Sequence, residues 1–175
     1  MRTSMVHAVL AVLVGVACSD SVSVPTTWTA TLTVGSETPA PTGTSTLGGT
    51  AVVMIAGGGT AQGTLTYTLT LTGTPTSTIS AAHIHTAAVG VTGPVRVNLC
   101  GAGTAPACPT GAGAVASTVV THTTGSAAVL GSPALTFDGL VSAIHNFGAY
   151  VNVHTATSGG GESRGQLLSP GTGTP

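Results

Sequence analysis

Three short stretches of this chain carry side chains capable of chemistry: Ser80-Ala-Ala-His83-Ile-His85, Tyr150-Val-Asn152-Val-His154-Thr and Gly161-Glu162-Ser-Arg164-Gly-Gln166-Leu167. Each alternates apolar and polar residues, the period of a half-buried strand whose successive side chains point to opposite faces. Two histidines one residue apart on a strand point the same way, with Cα atoms about 7 Å apart, a spacing able to chelate one ion. His154 offers a third imidazole to His83 and His85, and Glu162 a fourth ligand or an acceptor that orients a ring. Three imidazoles suit copper or zinc.

The same alternation defines a wider polar patch. Tyr150, Asn152 and His154 oppose Val151 and Val153, Arg164 and Gln166 share the side of Glu162, and Arg96 and Asn98 oppose Val95, Val97 and Leu99. Strands lying side by side would gather nearly all of these groups on one surface. Three readings of that surface stand open. In a structural network, Glu162 and Arg164 hold the closing strands through charge-assisted bonds to His, Asn and Tyr. The second reading is the copper or zinc site of a metal-binding protein or dismutase-like enzyme using His83, His85 and His154, and the third is a surface for a small ligand or a cell-surface protein. His122 and His145 fall outside the motifs and receive no role.

Other function classes find less support. The acidic residues are Asp20, Glu37, Asp138 and Glu162; the first lies near the N-terminus and the others in well-separated segments, a poor basis for paired-carboxylate catalysis. No Ser-His-Asp set on a nucleophile elbow is read. Gly57-Gly-Gly59 and Gly159-Gly-Gly161 lack the Lys-Ser/Thr and helix of a phosphate loop, and they read as turns. With a net charge of -1 and no lysine, the chain has no basic patch for nucleic acid. No catalytic residue is assigned.

Met1-Arg2-Thr-Ser supplies one positive charge, Val6 to Val16 an apolar run too short to span a bilayer, and Gly15-Val16-Ala17 the small residues of a cleavage site. Residues 1–17 therefore read as an export peptide and 18–27 as a tether. Gly15-Val-Ala-Cys18 resembles a bacterial lipobox, with glycine where leucine is usual; that resemblance implies a lipid on Cys18 as the sole link to a membrane. Ordinary secretion with cleavage after Ala17 is the alternative. Cys100 and Cys108 flank Gly-Ala-Gly-Thr-Ala-Pro-Ala, and they lack the second Cys or His pair of a zinc site. Export favours a disulfide between them, leaving Cys18 as the odd thiol.

The elements that position these residues follow from composition. The chain is 42% hydrophobic, 4% charged and 3% aromatic, with 26 glycines and 10 prolines. Apolar content at that level speaks against disorder, and abundant Thr and Val favour pleated structure. Strand-like runs separated by Gly/Pro turns are expected at 28–34, 50–55, 65–71, 79–85, 95–99, 114–121, 135–137, 150–155 and 164–168. The prediction is all-β: a single antiparallel β-sandwich, immunoglobulin-like or superoxide-dismutase-like, over residues 28–168. One short helix is expected from Asp138 to Gly148, with apolar residues at Leu140, Val141 and Ile144 and a terminal glycine. Residues 169–175 form a Pro/Gly/Thr tail.

Taken together, Ala82-His-Ile-His85, Gly90, Gly93-Pro94-Val, Tyr150-Val-Asn-Val-His154-Thr and Gly161-Glu162-Ser-Arg164-Gly-Gln166-Leu resemble the CHRD domain of chordin and many bacterial exported proteins. Glu37-Thr-Pro-Ala-Pro, Gly43, Gly49-Thr-Ala and Leu65-Thr-Tyr match its opening pattern. The chain departs from that pattern in the spacing of Pro39 and Pro41, in lacking a proline before Gly161-Glu162, and in an insertion carrying both paired cysteines. The resemblance implies an extracellular, β-rich module. Copper/zinc superoxide dismutase also places His-x-His on a β-sandwich, a likeness one motif long.

Overall fold

The computed structural model describes residues 27–56, 63–109, 118–125 (backbone only) and 129–170. The expected export peptide, the lipid site at Cys18, the side chain of His122 and the end of the tail lie outside the described residues. In chain order the elements are β1 (Thr27–Leu32), a 3-10 turn (Val34–Ser36), β2 (Gly48–Ala56), β3 (Thr64–Thr72), β4 (Ile79–His85), β5 (Val95–Cys100), β6 (Thr118–Gly125), α1 (Phe137–His145), β7 (Tyr150–Thr155) and β8 (Ser163–Gln166). They form two antiparallel four-stranded sheets, ordered β1-β2-β3-β6 and β5-β4-β7-β8. Among the described residues no helix is long and apolar enough to cross a membrane.

Period-two patterning builds the core. On β3, Leu65, Tyr67, Leu69 and Leu71 are buried while the intervening threonines face outward. Ala82 and Ile84 of β4, Val97 and Leu99 of β5, and Val151 and Val153 of β7 meet them from the second sheet. The Tyr67 hydroxyl donates to the Leu99 carbonyl, spanning the two layers. At one edge the sheets join directly, because β1 and the β8 segment exchange backbone bonds between Thr29 and Leu168 and between Thr33 and Arg164. That junction clamps β8 between β7 and β1.

Two local expectations are corrected. Residues 135–137 do not form a strand: Thr136 is the N-cap of α1, accepting from the Gly139 amide at 3.0 Å, so the helix begins at Phe137. At its other end Phe147, not the glycine, takes the left-handed conformation (φ 56°). The Phe147 amide returns to Ile144 and the Gly148 amide to Ala143, the paired bonds of a Schellman cap. Phe137, Leu140 and Ile144 of the helix complete the core.

Cys100 and Cys108 form the disulfide, with Cα atoms 4.9 Å apart, closing the insertion directly after β5. So short a loop of small residues has little else to order it, and on the chain-entropy account closure contributes about 2 to 3 kcal/mol. Replacing both cysteines by serine should lower unfolding stability by that amount in a urea titration, and an unchanged midpoint would show that the insertion adds nothing to the fold.

Candidate functional site

The second sheet has a polar outer face. Register places His83 of β4 opposite Asn98 of β5 and Asn152 of β7, His85 opposite Tyr150, and Asn152 and Tyr150 opposite Arg164 and Gln166 of β8. Alternation sends Ala82 and Ile84 inward and leaves the histidines on this face. Yet the face is not open to solvent: His85, His154, Asn152, Tyr150 and Arg164 are all buried, and only His83 among the three histidines is partly exposed. Loops before β5 and before β8 cover them.

The cover is held by side chains reaching from the strands to loop carbonyls. Gln166 Nε2 donates to Ala87 O at 3.1 Å and Phe147 O at 2.6 Å, and Arg164 Nη2 to Ala88 O at 3.1 Å. The Arg164 guanidinium also lies over the Tyr150 ring, 3.4 Å from its centroid, a cation–π contact. The Tyr150 hydroxyl accepts from the Gly93 amide at 3.0 Å, while its ring stacks on His85. Gly93 has to be a glycine, since a Cβ there would lie 2.1 Å from the Thr86 carbonyl oxygen.

Three imidazoles converge beneath this cover. Ring centroids stand 4.9 Å apart for His83 and His154, 5.7 Å for His83 and His85, and 5.8 Å for His85 and His154. One ring nitrogen from each lies within 4.8 Å of the other two. His85 Nδ1 is 2.8 Å from Gly93 O and His154 Nδ1 is 3.0 Å from Gly159 O. A carbonyl oxygen can only accept, so both Nδ1 atoms carry the proton and both Nε2 atoms present a lone pair. Those two Nε2 atoms and His83 Nδ1 are buried without a hydrogen-bond partner among the described residues.

Desolvation sets the charge state. Burial, then the neighbouring His154 and His85, pulls His83 down to about 4. Burial also lowers His85 and His154, more than the carbonyl bonds to Gly93 and Gly159 raise them, and Arg164 lowers His85 further. All three rings are neutral at pH 7, the form that ligates metal.

Glu162 does not join them. Its carboxylate accepts from Ser45 Oγ at 2.6 Å, Thr155 Oγ1 at 2.6 Å, the Thr76 amide at 2.7 Å and the Thr76 hydroxyl. The expected alternation fails because β8 begins only at Ser163; Glu162 follows a turn in which Gly161 has φ 129°. Burial opposes its ionisation, but the bonds from Ser45, Thr155 and Thr76 outweigh it and lower the pKa. Arg96 also leaves the expected patch. It is the extra residue of a bulge, between Val97 paired to Ile84 and Val95 paired to His85, and its guanidinium holds Thr86 Oγ1, Leu130 O and Pro133 O instead. His145 packs edge-on against Trp28, away from the site.

Sequence reasoning passed over Glu37. Asn152 Nδ2 donates to its Oε1 at 3.4 Å, burial raises its pKa, and Glu37 Oε2, Asn152 Oδ1 and Arg164 Nη1 have no protein partners. A Cβ on Gly161 would lie within 2.6 Å of both Asn152 and Glu37, so that turn packs directly on them. The available signal was scarcity, Glu37 being one of four acidic residues. Gly161-Glu-Ser163-Arg-Gly165 also spells Gly-x-Ser-x-Gly, the string of a nucleophile elbow. Here Ser163 lies on a strand, fully buried, rather than on an exposed strand-to-helix turn.

With the geometry in place, comparison with known proteins is decisive at the family level: residues 28–167 match the CHRD domain. The chain belongs to the CHRD domain family. No curated protein and no solved structure matches it. Membership accords with a binding or structural module, and the disulfide fits a CHRD protein that folds under oxidising conditions.

The depressed histidines have a thermodynamic consequence. Their folded pKa values lie below the unfolded value of about 6.5, so the unfolded chain binds more protons and stability falls as pH drops through that range. Glu37, whose pKa is raised, pulls the other way at lower pH, and the contribution of Glu162 is lost only under more acidic conditions. The metal-free CHRD domain should therefore lose Tm steadily between about pH 7 and about pH 5. A flat Tm profile would show that the rings are not desolvated.

Proposed function

We propose that this protein is an exported CHRD module, held at the cell surface by a lipid on Cys18, that binds a small ligand among His83, His85 and His154. One observation carries the binding part: three imidazoles bring ring nitrogens within 4.8 Å of one another, and each ring has a buried nitrogen with no partner among the described residues. A purely structural network argues for the opposite arrangement, since buried polar groups are stabilising only when their partners are present. Glu162 illustrates such a partnered group a few residues away. The strands of the site are not cross-linked through the imidazoles. The Nδ1 atoms of His85 and His154 bond to loop carbonyls and leave the Nε2 atoms without a partner among the described residues.

The export part rests on the residue pattern of 1–18, on the disulfide and on family membership. The absence of a charged surface agrees with a role that does not depend on electrostatic capture of a nucleic acid.

Two measurements check these statements. In the ligand-free protein, His83→Phe should leave stability within about 0.5 kcal/mol of the parent or raise it, because it removes an unpartnered buried nitrogen. A structural network would instead lose about 1 to 3 kcal/mol. For the anchor, Cys18→Ser should move the protein from the membrane fraction to the soluble exported fraction. Retention in the membrane fraction would exclude the lipid.

A further inference from the structure

We infer that the ligand is a copper or zinc ion, bound through Nε2 of His85, Nε2 of His154 and Nδ1 of His83; this inference rests on the binding reading above and names its ligand. The argument starts from what these nitrogens accept. Bonds to Gly93 O and Gly159 O fix two of the rings as Nδ1–H tautomers, so their Nε2 atoms are acceptors only. An anion is repelled by two lone pairs. An apolar group leaves them desolvated, and one water matches them only if His83 Nδ1 carries a proton for it to accept while it donates to both Nε2 atoms. A Lewis acid satisfies all three at once.

The carbonyl bonds supply a second argument. Metal-binding imidazoles characteristically donate their remaining N–H to a carbonyl or carboxylate, which orients the ring and raises its basicity. His85 and His154 already have that outer contact, from two different loops. Glycine at 93 allows the backbone approach that one of these bonds needs. Site preparation therefore extends beyond the three rings.

The donor set then selects the ion. Calcium and magnesium require six or more oxygen ligands, and the described side chains offer few: Glu162 is committed to Ser45, Thr76 and Thr155, which leaves Glu37 Oε2 and Asn152 Oδ1 as unpartnered buried carboxylate and amide oxygens. Among the described residues there is no free thiol, since Cys100 and Cys108 are bonded to each other. Neutral imidazoles alone favour the late first-row ions, with copper the tightest and zinc next to it. At a metal–nitrogen length of about 2.0 to 2.1 Å the ring nitrogens need to draw together by about 1 Å, a matter of ring rotation. Such a set leaves the ion's charge uncompensated, with Arg164 close by, so an anion from solvent completes the shell on the side where His83 is partly exposed.

The test uses the full chain, produced with its export segment and purified without chelator or nickel resin. Metal content is measured by mass spectrometry. The protein is then stripped and titrated with Zn(II), and anaerobically with Cu(I), while Tm is followed. The expected result is about one equivalent of one of these ions and a Tm that climbs with its concentration. His85→Phe and His154→Phe should weaken binding about 100-fold or more, whereas His145→Phe, on the helix, should not. Which of the two titrations saturates more tightly identifies the ion. Equal binding by parent and His variants would make the metal adventitious and overturn the inference. The absence of both bound metal and any Tm response would overturn it too. In that case, a stable His83→Phe variant leaves the binding site with a non-metal ligand, and a destabilised one removes the binding reading as well.

Discussion

The polar half of this molecule depends on one buried carboxylate. Glu162 is fully excluded from solvent, a position that is costly for a charge without partners. Ser45, Thr76 and Thr155 supply four donors, drawn from the segment before β2, the connection between β3 and β4, and the end of β7. No other group in the described residues ties so many distant segments to one point. Thr155 Oγ1 also accepts from the Ser158 amide at 3.1 Å, starting the turn that carries Gly159. The Gly159 carbonyl then sets the tautomer of His154. The carboxylate expected to touch the histidines governs them instead through the backbone, at one remove.

Glu162 and the histidines show two opposite uses of buried polarity in a chain that is 4% charged. Where every lone pair is matched, the group fixes geometry and keeps its charge. Where buried ring nitrogens are left unmatched, the fold gives up stability at a defined place. No described hydroxyl bonds to the three nitrogens, although Thr76, Thr86 and Thr155 act as partners elsewhere. Arg164 divides its contacts similarly, resting on the Tyr150 ring and donating to Ala88 O while Nη1 has no partner among the described residues.

What could be read from the sequence was whatever obeys the period of a strand. Ile79–His85 and Tyr150–Thr155 are strands with the expected ends, and their alternation correctly separates Ile84 and Val151 from His83 and Asn152. The disulfide followed from compartment and counting. Failures occurred where the backbone leaves that period. A bulge turned Arg96 toward the 130–133 segment, and a glycine turn displaced Glu162 from the face of Arg164. Thr136 looked like the middle of a strand because its neighbours are apolar, yet its hydroxyl caps a helix. Burial of the polar face was also hidden, since alternation tells which side a residue takes and not whether a loop lies over it.

Those loops explain why the motif residues stand where they do. His85 and the carbonyl that fixes its tautomer are eight residues apart, bracketing a loop that ends in Gly93-Pro94. His154 and its carbonyl are five apart, across a turn that ends in Gly161-Glu162. Each string thus encodes a ring together with the loop that orients it, and the second also encodes the anchor that holds its loop. Glycine is required where the returning backbone passes close to a neighbour: Thr86 at Gly93, Asn152 and Glu37 at Gly161. A His-x-His strand by itself would present two freely rotating imidazoles to water. The returning loops bury His85 and fix its tautomer, as the second loop does for His154, so the arrangement of this site resides in the pairing of strand and loop.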